Sequence, residues 1–337
     1  MRNNCFDFLR FLFAFIVVVG HIIVLTQQPA YQPLKPFADT MLSVTGFFVI
    51  SGFLISRSYK HSTSVTSYFA KRAKRLLPAY AAVILCCAVA FCAVSSLPAQ
   101  DYFFNGLFIK YLAANLSFLN FVQPCLPGVF DSNYMCAVNG ALWTLKIEIG
   151  FYLIVPLLIY LMRKCNKYDG LLLAAIYVMA VAYRHLFTAL GADNNLYNLL
   201  SHQLPAFMSY FAVGMFAETY FDLIMKHKNK WILPALLIAA IEYYFECEYL
   251  FPLAFGLIII YCAYSLPLLN NFGRHGDFSY GIYIWHFPII QLFIHFGLFD
   301  RMSVWLAFAI TIVCVLTMGW LSWHAIEKHF LKHRSAH

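Results

Sequence analysis

Arg10 and His21 stand eleven residues apart in the apolar stretch FDFLRFLFAFIVVVGHIIVLT. A helix turns about 100° per residue, so this interval returns to within about 20° of one face, with the two groups about 16 Å apart along the axis. A guanidinium is a permanent cation suited to phosphates and carboxylates, and an imidazole moves protons near neutral pH. Ionisable groups at such depth face a bundle interior or a wet cavity, which makes His21 either a proton-transferring group or a hydrogen-bonding partner of a neighbouring helix. Asp7, one turn before Arg10, either fixes the guanidinium in orientation or forms a simple interfacial ion pair with it.

Four further segments carry chemistry. ALWTLKIE ends on Glu148, a carboxylate able to orient an imidazole and raise its basicity; Lys146 is the alternative partner for it. KRAKRLLP sets Arg72 and Arg75 one turn apart, a basic patch fit for a polyphosphate or equally for anionic lipid. GFFVISGFL places Ser51 and Gly52 where small side chains admit either a neighbouring helix or a thin ligand. SYGIYIWHFP carries His286, which either lines a cavity or bonds between helices, and Pro288, which frees a backbone carbonyl. Cys125 and Cys136 share a turn-rich segment and are either joined or two free thiols; no cysteine and histidine spacing suggests a metal.

The elements that must hold these groups follow from composition. Of 337 residues, 62% are hydrophobic and 11% charged, well above the apolar share of about 45–50% in soluble domains, so disorder is excluded and a polytopic membrane protein expected. The net charge of +8 carries no separate sign of nucleic acid. Windows of about 20 apolar residues fall at 6–26, 41–59, 77–97, 141–162, 168–187, 203–221, 231–246, 249–267, 279–297 and 304–325. With both termini cytoplasmic, sixteen Lys and Arg lie in the even-numbered connections and the C-terminal tail, including Lys332 and Arg334, whereas the outer connections hold Lys35, Lys110, Arg184 and Arg301. The expected fold is therefore all-α, about ten transmembrane helices in a single membrane domain over residues 1–337. His21 then lies about five residues short of the outer end of its span and Glu148 about six residues below the outer surface, at similar depth. An apolar run at 107–122 belongs to the outer surface or re-enters.

Together these segments resemble acyltransferase family 3, membrane proteins that transfer acyl groups from cytoplasmic acyl-CoA, mostly to envelope sugars. Arg10 followed by ten residues and His21 is similar to the family's first-helix signature. Phe47 to Leu54, Arg72-x-x-Arg75 with Pro78, Leu142-Trp143 through Glu148 to Tyr152 with Pro156, and Ser279-Tyr280 through His286-x-Pro288 match its later motifs in order. The resemblance implies a transmembrane O-acyltransferase, with acetyl as the expected group and acetyl-CoA as donor. His21, Glu148 and Arg10 would be catalytic, His21 as general base or transient acyl carrier. Arg72, Arg75, Ser51, Gly52 and His286 would hold the donor. The implied partners are acyl-CoA, a carbohydrate or glycolipid acceptor and membrane lipids, the implied location the cell (inner) membrane. His329 stands where the family usually has Pro, and no hydrolase-like segment lies within the 337 residues, so acceptor handling falls to the membrane domain or a separate partner. The competing class is a proton-coupled transporter or flippase, which also uses intramembrane Arg, His and Glu; the absence of repeat halves argues against it.

Overall fold

The computed structural model describes residues 4–192 and 194–331, which form helices and connections with no strand among them. Ten longer helices are α1 Phe6–Thr26, α2 Thr40–Lys60, α3 Val65–Ala90, α4 Trp143–Cys165, α5 Asp169–Gly191, α6 Leu204–Thr219, α7 Lys228–Phe245, α8 Phe251–Ser265, α9 Ser279–His295 and α10 Val304–Ser322. One helix therefore falls on each apolar window. By length and composition five helical stretches are long and apolar enough to cross a membrane, or six if α8 and the bent segment after it form one span. Lys332 and Arg334 lie outside the described residues.

The largest difference from the sequence expectation is in α3. Hydropathy starts this element at residue 77, yet the helix starts twelve residues earlier, where Ser64 caps it by accepting the Ser67 amide at 3.0 Å. Lys71 to Arg75 thus belong to a helical extension of the span rather than to a connecting loop. A hydropathy window cannot register polar helical turns, and the real start signal was the capping serine. The run at 107–122 becomes a short helix, Gly106–Leu116, followed by a single turn at Asn120–Val122.

The chain gathers into two compact units, one from Met1–Leu9, Val44–Phe69 and Ile147–Phe272, the other from Arg10–Ser43, Ala70–Lys146 and Gly273–His337. In the first, α2 and α6 touch backbone to backbone. A Cβ on Gly52 would lie 2.1 Å from the Phe211 carbonyl oxygen, and one on Gly214 2.1 Å from that of Val49. Packing of small residues drives such contacts where no water is displaced. Beside this seam Phe151 stacks on Phe211 with ring centres 4.1 Å apart, and Phe48 meets both Phe151 and Phe207.

In the second unit the connection before α4 is anchored from within. Leu126, Val129 and Phe130 are buried, and Cys125 and Cys136 are joined, their Cα atoms 5.3 Å apart. Ser96 donates its amide to the Gly128 carbonyl at 2.9 Å, and Val138 donates to that of Pro124 at 2.9 Å. Closing a loop of this length stabilises by about 2–3 kcal/mol. Peptide mapping without reductant should yield a linked Cys125–Cys136 peptide, and Cys125→Ser should lower stability by about that amount. Complete alkylation of both cysteines in unreduced protein would contradict the bond.

Candidate active site

Two polar contacts join α1 to α9 within the second unit. At one level His286 Nε2 lies 2.9 Å from His21 Nδ1, while His286 Nδ1 lies 2.7 Å from the Tyr283 carbonyl oxygen. At the other, Arg10 Nη1 lies 3.1 Å from Asp277 Oδ2, just ahead of α9. Helix rise separates Arg10 from His21 by about 16 Å and Asp277 from His286 by about 13 Å, so the two elements run side by side in the same direction. The eleven-residue spacing legible in α1 is thus matched by a nine-residue spacing from Asp277 to His286.

The histidine pair has a definite proton order. A backbone carbonyl only accepts, so His286 Nδ1 carries a proton and donates to Tyr283. In the neutral ring the lone pair then resides on Nε2, which accepts from His21 Nδ1–H. The His21 ring also donates to the Val17 carbonyl one turn back, and with Nδ1 as the donor in both contacts the lone pair of His21 is on Nε2. His286 is wholly buried, whereas His21 is half-buried. Of the two sequence readings of His286, the structure shows the hydrogen bond between helices: its ring is buried and both its nitrogens are engaged.

The surroundings of His286 explain why it is fixed. Pro288 cannot donate to the Ile284 carbonyl one turn back, and the buried Asn139 side chain donates there instead at 2.8 Å. The hydroxyls of Thr144 and Tyr283 lie 2.7 Å apart. Gly140 lies against the Phe287 ring, 2.7 Å from where a Cβ would sit, and Phe287 in turn contacts His21 edge-on with ring centres 5.2 Å apart. Asn139, Gly140 and Thr144 seat the start of α4 on the histidine level of α9.

At the lower level one carboxylate serves several groups. Asp277 Oδ2 accepts from Arg10 and, at 2.5 Å, from Arg75; its Oδ1 accepts from the amide of Ser279 at 3.3 Å and from its hydroxyl at 2.5 Å, closing the start of α9. Glu327, nearly inaccessible, lies 4.0 Å from Arg75 and accepts from Ser322 at 2.9 Å. Burial works against the charge on Asp277, but Arg10, Arg75 and the Ser279 donors outweigh it and hold the carboxyl well below the usual carboxylate range. Asp277, Glu327 and Asn139 were absent from the sequence expectation. Asp277, two residues before Ser279 at a helix start, carried a legible capping signal.

In the first unit Ser51 donates to Glu148 Oε1 at 2.8 Å, so two residues chosen separately from the sequence meet. Gly52 lies against the Phe211 backbone, the helix contact that was one of its two sequence readings. Lys146 Nζ lies over the Phe121 ring, 4.7 Å from its centre. Among the described residues no three His, Cys, Asp or Glu side chains are grouped to hold a metal.

Fold and site define a polytopic helical membrane protein with a hydrogen-bonded histidine pair at one level and two arginines on one carboxylate at the other. The chain belongs to acyltransferase family 3, whose model, described as an acyltransferase domain, matches residues 3–324. It is 27% identical to an O-acetyl transferase of Shigella phage Sf6, covering 99% of this chain and 98% of that protein. It is also 27% identical to nodulation protein 10 of Rhizobium leguminosarum bv. viciae, covering 99% and 95%. The peptidoglycan O-acetyltransferase OatA of Listeria monocytogenes is 25% identical over 86% of this chain and 51% of its own length. No solved structure matches.

Asp277→Asn should destabilise the protein by about 2–4 kcal/mol, toward the low side for a broken buried pair because both arginines keep some exposure. A depressed carboxyl contributes stability that is complete above the unfolded value near pH 4 and is lost as pH falls through the lower folded one. The thermal midpoint should thus hold between pH 7 and 5 and drop in stronger acid, with Asp277→Asn flattening the drop. A midpoint unchanged by the substitution would show that Asp277 does not hold the arginines.

Proposed function

We propose that this protein is a transmembrane O-acetyltransferase of the cell (inner) membrane, a single catalytic domain that takes acetyl from cytoplasmic acetyl-CoA and delivers it to a hydroxyl of an extracytoplasmic carbohydrate. The observation that carries the reading is the His21–His286 pair, which leaves a base-competent Nε2 on the half-buried ring of an acyltransferase-family chain. The names of the Shigella phage and Listeria relatives support acetyl as the group and a glycan as the acceptor, and they favour an enzyme over a transporter.

In the proposed reaction the acceptor oxygen attacks the thioester carbonyl as His21 Nε2 takes the hydroxyl proton. The C–O bond forms, the tetrahedral intermediate collapses with loss of the C–S bond, and the proton passes from His21 to the departing thiolate. The products are the acetyl ester and free CoA. During this step His21 carries positive charge, and the His286 Nε2 lone pair stabilises it through Nδ1–H. His286 is accordingly a positioning residue. Glu148, with Ser51 bonded to it, is assigned to the acceptor end in this reading by the depth argument from the sequence, on the expectation of ten spans with cytoplasmic termini.

Arg72 and Arg75 are the proposed phosphate ligands of the donor, on one face of the cytoplasmic extension of α3. Arg72→Gln and Arg75→Gln should each weaken acetyl-CoA binding, and Arg75→Gln should in addition lower thermal stability because it breaks the Asp277 pair. Donor affinity unchanged in Arg72→Gln protein would return that residue to a topological role.

The histidine assignment is tested in purified protein. His21→Ala should reduce acetyl transfer by about 10²–10⁴ with insertion retained and a stability loss of no more than about 1–3 kcal/mol for the unpaired His286 Nε2. His286→Gln, whose amide oxygen still accepts from His21 Nδ1, should keep more activity than His286→Leu. Equal losses in the two His286 variants would contradict the acceptor role.

A further inference from the structure

The disulfide-closed outer loop is fastened to α9 just beyond the histidine pair. Gln291, wholly buried, donates through Nε2 to the carbonyls of Met135 and Ala137, each at 2.7 Å. Asn133 donates back to the Gln291 carbonyl at 2.9 Å and to its Oε1 at 3.0 Å. Both chain neighbours of Tyr134 are therefore tied to one side chain of α9, and the next residue but one, Cys136, is cross-linked to Cys125. Gln291 follows His286 by five residues, about 7.5 Å further along the helix.

Within this loop Leu126, Val129 and Phe130 go inward, while Met135 beside Tyr134 keeps 36% exposure. Leu126 is 2% exposed, Val129 0% and Phe130 1%, and Phe130 packs on Phe91 with ring centres 5.0 Å apart. Tyr134 is 61% exposed on a backbone that is held at four points. An aromatic ring presented on an immobilised backbone loses little conformational freedom when it meets a ligand, and tyrosine offers a flat apolar face with a polar tip. The C–H faces of a pyranose ring are flat and apolar while its rim carries hydroxyls, so such a ring complements a sugar. The exposed Asp131 and Ser132 beside it add groups that bond hydroxyls.

We propose that Tyr134 is the stacking platform for the sugar ring of the acceptor, a binding residue that sets acceptor specificity above the His21 level. This rests on the carbohydrate-acceptor reading given above. By helix rise its anchor Gln291 lies about 7.5 Å beyond His286 along α9 and about 140° round the helix from it, so the platform would hold the sugar beside the histidine level and the acceptor hydroxyl would reach across to His21.

The test compares cells lacking the protein with cells supplied with wild-type chain or with Tyr134→Ala, Tyr134→Leu or Tyr134→Trp at matched membrane levels, and measures ester-linked acetyl on total envelope glycan by mass after mild alkali release. Thermal midpoint and acetyl-CoA affinity are measured on each purified variant. Tyr134→Ala and Tyr134→Leu should each lose at least tenfold in glycan acetylation with midpoint and donor affinity unchanged, and Tyr134→Trp should recover at least half. Wild-type acetylation in Tyr134→Ala overturns the platform. So does recovery by Leu equal to that by Trp, which would make the residue an anchor in the lipid interface, and so does a joint loss of acetylation and thermal stability, which would make it structural. If the wild-type chain itself adds no acetyl to glycan, the carbohydrate-acceptor reading falls first, and the platform with it.

Discussion

Every polar group inside an apolar bundle must find a partner within the protein, and α9 is where this constraint is concentrated. From Asp277 to Gln291 it meets two arginines, the Ser279 cap, the Thr144 hydroxyl, the Asn139 amide, His21 and the carbonyls of the disulfide-closed loop. None of these is a strong interaction taken singly, since a typical hydrogen bond contributes about 1 kcal/mol net. Their value is in specificity: sliding α1 by one turn against α9 would leave Arg10, Asp277 and both histidines unsatisfied at once, and an unsatisfied buried group costs more than a bond gains. The ion pair at one end thereby fixes the register in which the histidines meet at the other.

That arrangement separates two electrostatic tasks along one helix pair. Permanent charge, carried by Arg10, Arg75 and Asp277, stays at the level where the helices begin. The histidine level carries groups that take and give up a proton without permanent charge, which suits a site in low dielectric. A base made by a neutral partner is milder than one backed by a carboxylate, but it avoids burying an anion beside lipid.

Much of this was legible in the chain. Apolar windows located ten helices because hydropathy is their dominant physical requirement, and the Arg10 to His21 interval marked one face correctly because helical geometry is local. Contacts between elements were less accessible. His286 was singled out as polar and deep, yet its partner could not be deduced, because the register of two helices depends on the Asp277 pair, which lies outside the apolar window. Ser51 and Glu148 were noted individually for the same reason. Cys125 and Cys136 were legible as a pair because so short and turn-rich a loop leaves few other partners, and α3 was misplaced at its start because its first three turns are polar.

The central claim, that His21 presents a free Nε2 while His286 holds its other nitrogen, is tested most directly by diethyl pyrocarbonate, which acylates neutral imidazole nitrogens that carry an accessible lone pair. Acetyl transfer should decay in step with modification of His21, located by peptide mass, while His286 stays unmodified until the protein unfolds. Modification of His286 ahead of His21, or full transfer activity in protein whose His21 is quantitatively modified, would contradict the account.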